Sequence, residues 1–404
     1  MMPTVSGDLR ALNRIRVLRA VHDCGGSRTR AQLTRELDLA RGTASVLVGE
    51  LIESELLAET PAAEHARGRP TLVPGPHPRG PQALAVDLRE DEWEIAVCEL
   101  GGRATTLEVR PHDGTPEGAF LPIGAALRAL VGPRTVGVGV AVAGPVRQAA
   151  PGEDPLVDIA HLRWRDVPVG ELLSLGAVPL HLGNDARLAA LAEARRGQMR
   201  GVEVGLHLHI AFDLGGSLLV GGRPLTGASG TAGEFGHMPM AGDDEPCLCG
   251  TSGCWGVQVG SNALLRRLGL PYGGGKGRAE AGRMLARARS GDRAAAEALH
   301  AVARALGKGA GALVNAHDPA LVTLSGFGED LLGEALREAY VAALMEMRRP
   351  APPPVVASAL GWRGPLLGAM ESVFDAFLTP NGVERWRHAR MHGVMYTTSA
   401  SAPV

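Results

Sequence analysis

Three of the five cysteines in this 404-residue chain, Cys247, Cys249 and Cys254, fall within eight residues, and His237 stands ten residues before the first of them. No other pattern restricts the local fold so tightly. Thiolates and an imidazole are preferred zinc ligands, and a site whose four positions are all protein atoms has none open for chemistry. The spacing therefore predicts a structural Zn2+ held by His237, Cys247, Cys249 and Cys254, pinning the loop Gly233 to Gly260. Clustered thiols without a paired framework also suit a reducing cytoplasm, which is the expected location.

The remaining composition is that of a globular protein: 45% of residues are hydrophobic, enough for a sizeable core, and the formal net charge is −2. A charge so near zero supplies no global attraction to nucleic acid or anionic lipid, so any DNA contact has to come from a local patch. Apolar runs such as Val136 to Val142 are far shorter than the ~20 residues of a membrane helix. The first residues, MMPTVSGDLRALNRIR, lack the apolar core of a signal peptide. No membrane partner is expected.

Leu9 to Leu57 shows helical periodicity three times. Leu9, Leu12, Ile15, Leu18 and Val21 form one stripe, stopped by Cys24-Gly25-Gly26. A short helix is predicted over about Thr29 to Leu37, and a third after Asp38-Leu39-Ala40 carries Val46, Leu47, Val48, Leu51 and Ile52. Three short helices with a tight last connection suggest a helix-turn-helix. Arg41, Thr43 and Ser45 lie at the end of the third helix that enters the major groove in such motifs. Arg67, Gly68 and Arg69 read as the tip of a β-wing, where arginines flanking a glycine can follow phosphates or enter a narrow minor groove. The winged helix-turn-helix is assigned to residues 1–74, and the prolines and glycines of 75–82 read as a stiff, structureless linker.

From Ala83 strands alternate with helices, the pattern of an α/β fold: strands at 83–86, 94–100, 135–142, 179–182, 321–325 and 355–358, and helices at 118–131, 185–196, 278–289, 293–317, 329–347 and 365–378. The tail 381–404 has weak periodicity and reads as loosely ordered.

Four motifs occur in order: Asn184-Asp185-Ala186; Gly227-Ala228-Ser229-Gly230; Ala232-Gly233-Glu234-Phe235-Gly236-His237; and Cys247-Leu248-Cys249-Gly250-Thr251-Ser252-Gly253-Cys254. With Gly68-Arg69-Pro70 before them, they resemble the ROK family of repressors, open reading frames and sugar kinases, and the similarity spans nearly the whole chain. The resemblance implies a two-lobed actin-like ATPase (ribonuclease H-like) fold over 83–380, with sugar in the cleft and, in kinase members, ATP on glycine-rich loops. It places Asp185 at the position of the general base, and Asn184, Glu234 and His237 where side chains hydrogen-bond sugar hydroxyls. His161 stands where the family commonly has asparagine before Leu-x-Trp.

The chain departs from the kinase pattern at each phosphate loop. Glycines expected after Asp87-Leu88 are replaced by Arg89-Glu90-Asp91-Glu92, the second loop reads Ala211-Phe212-Asp213-Leu214-Gly215, and the late glycine run is Leu324-Ser325-Gly326-Phe327-Gly328. Gly256 occupies the place of a sugar-contacting glutamate. Carboxylates and side chains in place of glycine oppose close approach of a phosphate. The expectation is a non-catalytic, homodimeric or homotetrameric transcriptional regulator, most simply a repressor, that binds operator DNA and senses a sugar or sugar-derived ligand. Two alternatives are an ATP-dependent sugar kinase with a fused DNA-binding head and a regulator that needs no ligand.

Overall fold

The structure is a computed structural model that describes residues 5–62, 71–147, 154–242, 244–273 and 277–397, with side chains from residue 9 onward. The chain opens with α1 (Val5–Cys24), α2 (Arg30–Glu36), α3 (Arg41–Glu53), β1 (Leu57–Pro61) and β2 (Leu72–Pro76). Gly25 and Gly26 adopt φ of +61° and +76° and so end α1, as the sequence implies. Thr29 caps α2 through a capping box with Gln32. Strands β1 and β2 pair antiparallel behind the three helices.

The first lobe follows: β3 (Gln82–Leu88), β4 (Glu92–Glu99), β5 (Ala104–Pro111), α4 (Pro116–Leu130), β6 (Thr135–Val142), a small antiparallel ribbon of β7 (Val146–Arg147), β8 (Leu156–Ile159) and β9 (Trp164–Pro168), then α5 (Val169–Leu173), β10 (Leu180–Asn184) and α6 (Asp185–Arg196). The second lobe holds β11 (Val204–Ile210), β12 (Leu214–Val220), β13 (Arg223–Pro224), α7 (Ser261–Arg267), α8 (Gly277–Arg289), α9 (Arg293–His317), β14 (Leu321–Gly326), α10 (Glu334–Ala343) and β15 (Val355–Ala357). The chain then returns to the first lobe through α11 (Gly364–Phe377) and α12 (Pro380–His392).

The two five-stranded sheets repeat one design. Their orders are β5-β4-β3-β6-β10 and β13-β12-β11-β14-β15, each with three antiparallel strands followed by two parallel ones. This duplication is the two-lobed actin-like arrangement. β6 is buried along its whole length, as expected for a central parallel strand covered on both faces. Helix α11 lies against α6 so closely that a side chain at Gly368 would collide with the Leu188 carbonyl. Among the described residues no helix is long and apolar enough to cross a membrane.

Three sequence expectations are altered. The helix predicted over 329–347 is broken: a 3-10 turn spans Phe327–Leu331 and α10 begins only after Gly333. The linker is shorter than 75–82, because Gly75 and Pro76 pair with Ala58 and Leu57 in the β1–β2 ribbon, leaving a turn closed by Gly80 N–H donating to His77 O at 2.8 Å. Prolines are tolerated on such an edge strand. The tail is ordered through Thr397 among the described residues: α12 buries Val383, Trp386 and Ala389, and Tyr396 packs edge-on to Phe377. Its short apolar stripe with basic residues around it explains why periodicity was faint.

The head does not hang free. Val17, Leu18, Leu47 and Leu51 from its helices share one apolar core with Ala83 and Cys98 of the first sheet, Phe374 of α11 and Trp386 of α12. The Trp386 indole N–H donates to Ser54 O at 2.9 Å. At the end of α1, the fully buried His22 accepts from Gly101 N–H through Nδ1 at 3.0 Å, which leaves Nε2 to donate to Glu371 at 3.2 Å. Arg196, the last residue of α6, pairs with the same carboxylate. Arg19 and Arg195 both reach Asp375.

Candidate functional site

The loop from Gly233 to Gly260 is built around an anchor. Trp255 is buried, its indole N–H donates to Ala305 O of α9 at 2.9 Å, and its ring fills the space beside Gly309. The Trp255 backbone N–H donates to Met238 O at 2.7 Å, and Pro239 bridges Cys254, so the histidine-bearing turn and the last cysteine are stitched together. The effect is to gather His237, Cys247, Cys249 and Cys254, whose ligand atoms all lie within 4.8 Å of one another. Cys249 Sγ is 3.7 Å from Cys254 Sγ, and Cys247 Sγ is 3.8 Å from His237 Nδ1. Metal–sulfur bonds of ~2.3 Å and metal–nitrogen bonds of ~2.0–2.1 Å in tetrahedral geometry require separations of roughly 3.5–3.8 Å. The four residues therefore can hold a metal ion.

His237 has two faces. Nδ1 looks to the thiols, while Nε2 lies 3.9 Å from the Glu234 carboxylate. Burial raises Glu234 above the usual carboxylate range, partly opposed by Arg187. Gly256, where a glutamate is expected, packs against the Gly236 backbone, so even a Cβ there would meet the carbonyl oxygen at 3.2 Å.

Between the lobes, Asp185 is half-buried at the first turn of α6, and its Oδ1 accepts from Ala186 N–H at 2.7 Å. Asn184 is the cap itself: Oδ1 accepts from Arg187 N–H at 3.0 Å and Nδ2 donates to Gly144 O at 3.2 Å. Asp185 opens on a cavity of only about 10 Å³, lined also by Asp87, Arg89, His209, Phe212 and Trp362. That is room for about one water. Arg89 fills the turn after Asp87-Leu88. Its guanidinium lies 3.1 Å from Asp87, 2.7 Å from Glu92 and 3.6 Å from Glu94. Arg278 of α8 crosses from the other lobe to Glu92 at 3.5 Å and stacks on Trp362 at 4.2 Å. In the second loop, the half-buried Asp213 accepts from Asn262 at 3.4 Å.

Burial raises Asp185 to about 7 and Asp87 to about 6. An acid whose folded-state value lies above its unfolded value near 3.8 loses stability as pH rises between the two. Asp185→Asn, which keeps the acceptor for Ala186, should therefore stabilise the protein by about 1–3 kcal/mol above pH 7 and by almost nothing at pH 4. Chemical denaturation at the two pH values checks this, and an equal effect at both would contradict the buried-acid account.

The other predicted positions lie apart. His161 lines a separate cavity that shares no wall residue with the Asp185 cavity. Arg41, Thr43 and Ser45 are exposed on the first half of α3, while Ala44, Leu47, Val48 and Leu51 bury the opposite face. Arg67, Gly68 and Arg69 fall in the connection from β1 to β2, outside the described residues. Sequence reasoning did not find Trp255, Arg278 or Arg196. Only the tryptophan carried a signal, by following the last cysteine.

Comparison with known proteins places the chain. The family model described as "ROK family" matches residues 83–375. A xylose repressor of Caldicellulosiruptor bescii is 26% identical over 354 residues, spanning 82% of this chain and 87% of that protein. A glucokinase of Streptomyces coelicolor is 27% identical over 307 residues, 71% of this chain and 96% of that enzyme. Among solved structures, a ROK family transcriptional regulator described as a homologue of the E. coli MLC protein superposes with a TM-score of 0.71 at 22% identity, covering 94% of this chain and 99% of the other.

Proposed function

This chain belongs to the ROK family, and we propose that within it the protein is a transcriptional regulator whose winged helix-turn-helix binds operator DNA and whose two-lobed body senses a sugar-derived ligand without phosphorylating it. The observation that carries this reading is the head. A fold match over 94% of the chain cannot be reached without residues 1–76, whereas the glucokinase alignment spans 71% of the chain while using 96% of the enzyme. An exposed Arg41, Thr43 and Ser45 on one side of α3 supply the surface that such a head presents to a major groove.

In this reading His237, Cys247, Cys249 and Cys254 hold a structural Zn2+, which keeps Glu234 and the free nitrogen of His237 facing the cleft. Asp185 is retained without access to a phosphate donor, because Arg89 and its carboxylates occupy the first loop and Asp213 the second. Paired heads in a homo-oligomer read a two-fold operator, and ligand acts by binding one lobe arrangement better than another.

The test is fluorescence anisotropy with the DNA upstream of the protein's own coding region. Binding should weaken steeply with salt, and Arg41→Ala should reduce affinity about tenfold and lower the salt slope by about 1. Unchanged affinity in that variant, or no DNA binding at low salt, would count against the head assignment. The glucokinase relative and the raised Asp185 favour a second reading, a hexose kinase with a fused head. ATP-dependent phosphorylation abolished by Asp185→Asn would establish it and overturn the first.

A further inference from the structure

Arg278 stands at the start of α8 in the second lobe, and its side chain reaches out of that lobe altogether. Helix α8 is fixed at its base by Ala281, Met284 and Leu285, which enter the core of the second lobe beside α9. Its first residue, Gly277, lies so close to Phe212 that a Cβ there would meet the ring at 2.9 Å. From this anchored start the Arg278 guanidinium extends to Glu92 of β4, in the first lobe, at 3.5 Å and stacks on Trp362 at 4.2 Å. Trp362 belongs to the 3-10 turn Gly361–Arg363, on the segment by which the chain passes from β15 back to α11. One side chain thus joins the second lobe to the first and to the crossover between them.

Two features set this contact apart from an ordinary surface pair. The first is charge. Asp87, Glu92 and Glu94 of the first lobe share Arg89, and Arg278 brings a second guanidinium to the same group from across the cleft. Its charge also acts on Asp87 and Asp91. The second is position. The tryptophan that carries Arg278 on its face also walls the Asp185 cavity, together with Arg89 and Ala143 of the first lobe and His209 and Phe212 of the second. The His209 ring meets Trp362 edge-on, with centroids 6.2 Å apart. Arg278 therefore ties together groups from both lobes that confine this space to about 10 Å³. A half-exposed ion pair is weak by itself, but an indole face is the best aromatic partner for a guanidinium, and the two contacts act on one side chain.

We propose that Arg278 is a clasp between the lobes: engaged on Glu92 and Trp362 it holds the cleft shut, and its release lets the lobes part. The inference goes beyond the function proposed above, because it concerns lobe position alone and applies equally to a sensor and to a kinase.

The test is the rate at which a thiol inside the cleft reacts. In a full-length Ala143→Cys background the new thiol faces a space too small for N-ethylmaleimide, so labelling proceeds when the lobes part and its rate follows the open fraction. Peptide mass spectrometry separates this thiol from the native cysteines, and Cys98, fully buried in the first sheet, reports opening by unfolding. Arg278→Ala should accelerate labelling at position 143 about tenfold, the combined effect of an exposed ion pair and a cation–π contact. Glu92→Gln, which leaves the stacking in place, should accelerate it about two- to threefold. Cys98 should be unaffected by either change, and Glu92→Gln carries the test should Arg278→Ala fail to fold. The proposal is overturned if neither change accelerates labelling at position 143, if Cys98 accelerates in parallel, or if the cleft thiol of the background protein already reacts as fast as a free thiol.

Discussion

Replacing Cys254 with serine is expected to release bound zinc and to lower the melting temperature by roughly 5–10 °C, since a tightly held ligand commonly contributes about 4 kcal/mol or more to the folded state. Cys254 is the most enclosed of the four ligands and is continuous with the Trp255 anchor, so its loss removes both a ligand and the tie between the metal loop and α9. Metal analysis of the purified protein should find one zinc per chain in the wild type and much less in Cys254→Ser. A strong chelator should depress the wild-type melting temperature to near that of the variant. A wild type that carries no zinc, or that melts identically with chelator, would remove the metal from the account.

The second large effect is expected at the junction of head and body. Burial alone would push Glu371 up, yet His22 and Arg196 overcome it and hold the carboxyl down at about 2. A carboxylate with a folded-state value below its unfolded one stabilises the protein above about pH 4.5 and loses that contribution as pH falls toward 2. The difference amounts to about 3 kcal/mol. Arg196→Ala leaves this charge buried with one partner fewer, and should destabilise by about 3–5 kcal/mol at neutral pH. Replacing Arg196 and Glu371 together by leucine should recover much of the loss. Urea denaturation of the three proteins decides it: a double variant no more stable than Arg196→Ala would show that packing, and not the stranded charge, sets the cost.

Much of the architecture was legible because it is locally encoded. Helices α1 and α3 announce themselves by period, the parallel strand β6 by an unbroken apolar run, and the His237, Cys247, Cys249 and Cys254 cluster by spacing alone. What could not be read depends on residues distant in sequence. His22 meets Glu371 across 349 positions, Arg196 reaches the same carboxylate, and Trp255 finds its slot at Gly309. None of these leaves a periodic trace. The cleft between the lobes shows the same limit: the glycine losses at 89–92 were visible, but the bridge from Arg278 to Glu92 and Trp362 needs two lobes to exist first. His161 was linked to the cleft by its place in a motif, and the fold sends it to a neighbouring cavity.

The apolar core common to the head and the first lobe constrains how the regulator proposed above could respond. Arms swinging on flexible tethers would tolerate many operator geometries. Here α1, α3, α11 and α12 are solidified into one block, so in the homo-oligomer proposed above each subunit would act as one jaw of a caliper. In a paired assembly, the gap between jaws is set where subunits meet and where lobes close. Inserting or deleting a few base pairs between half-sites should then abolish binding outright, as a rigid gauge rejects a part of the wrong size.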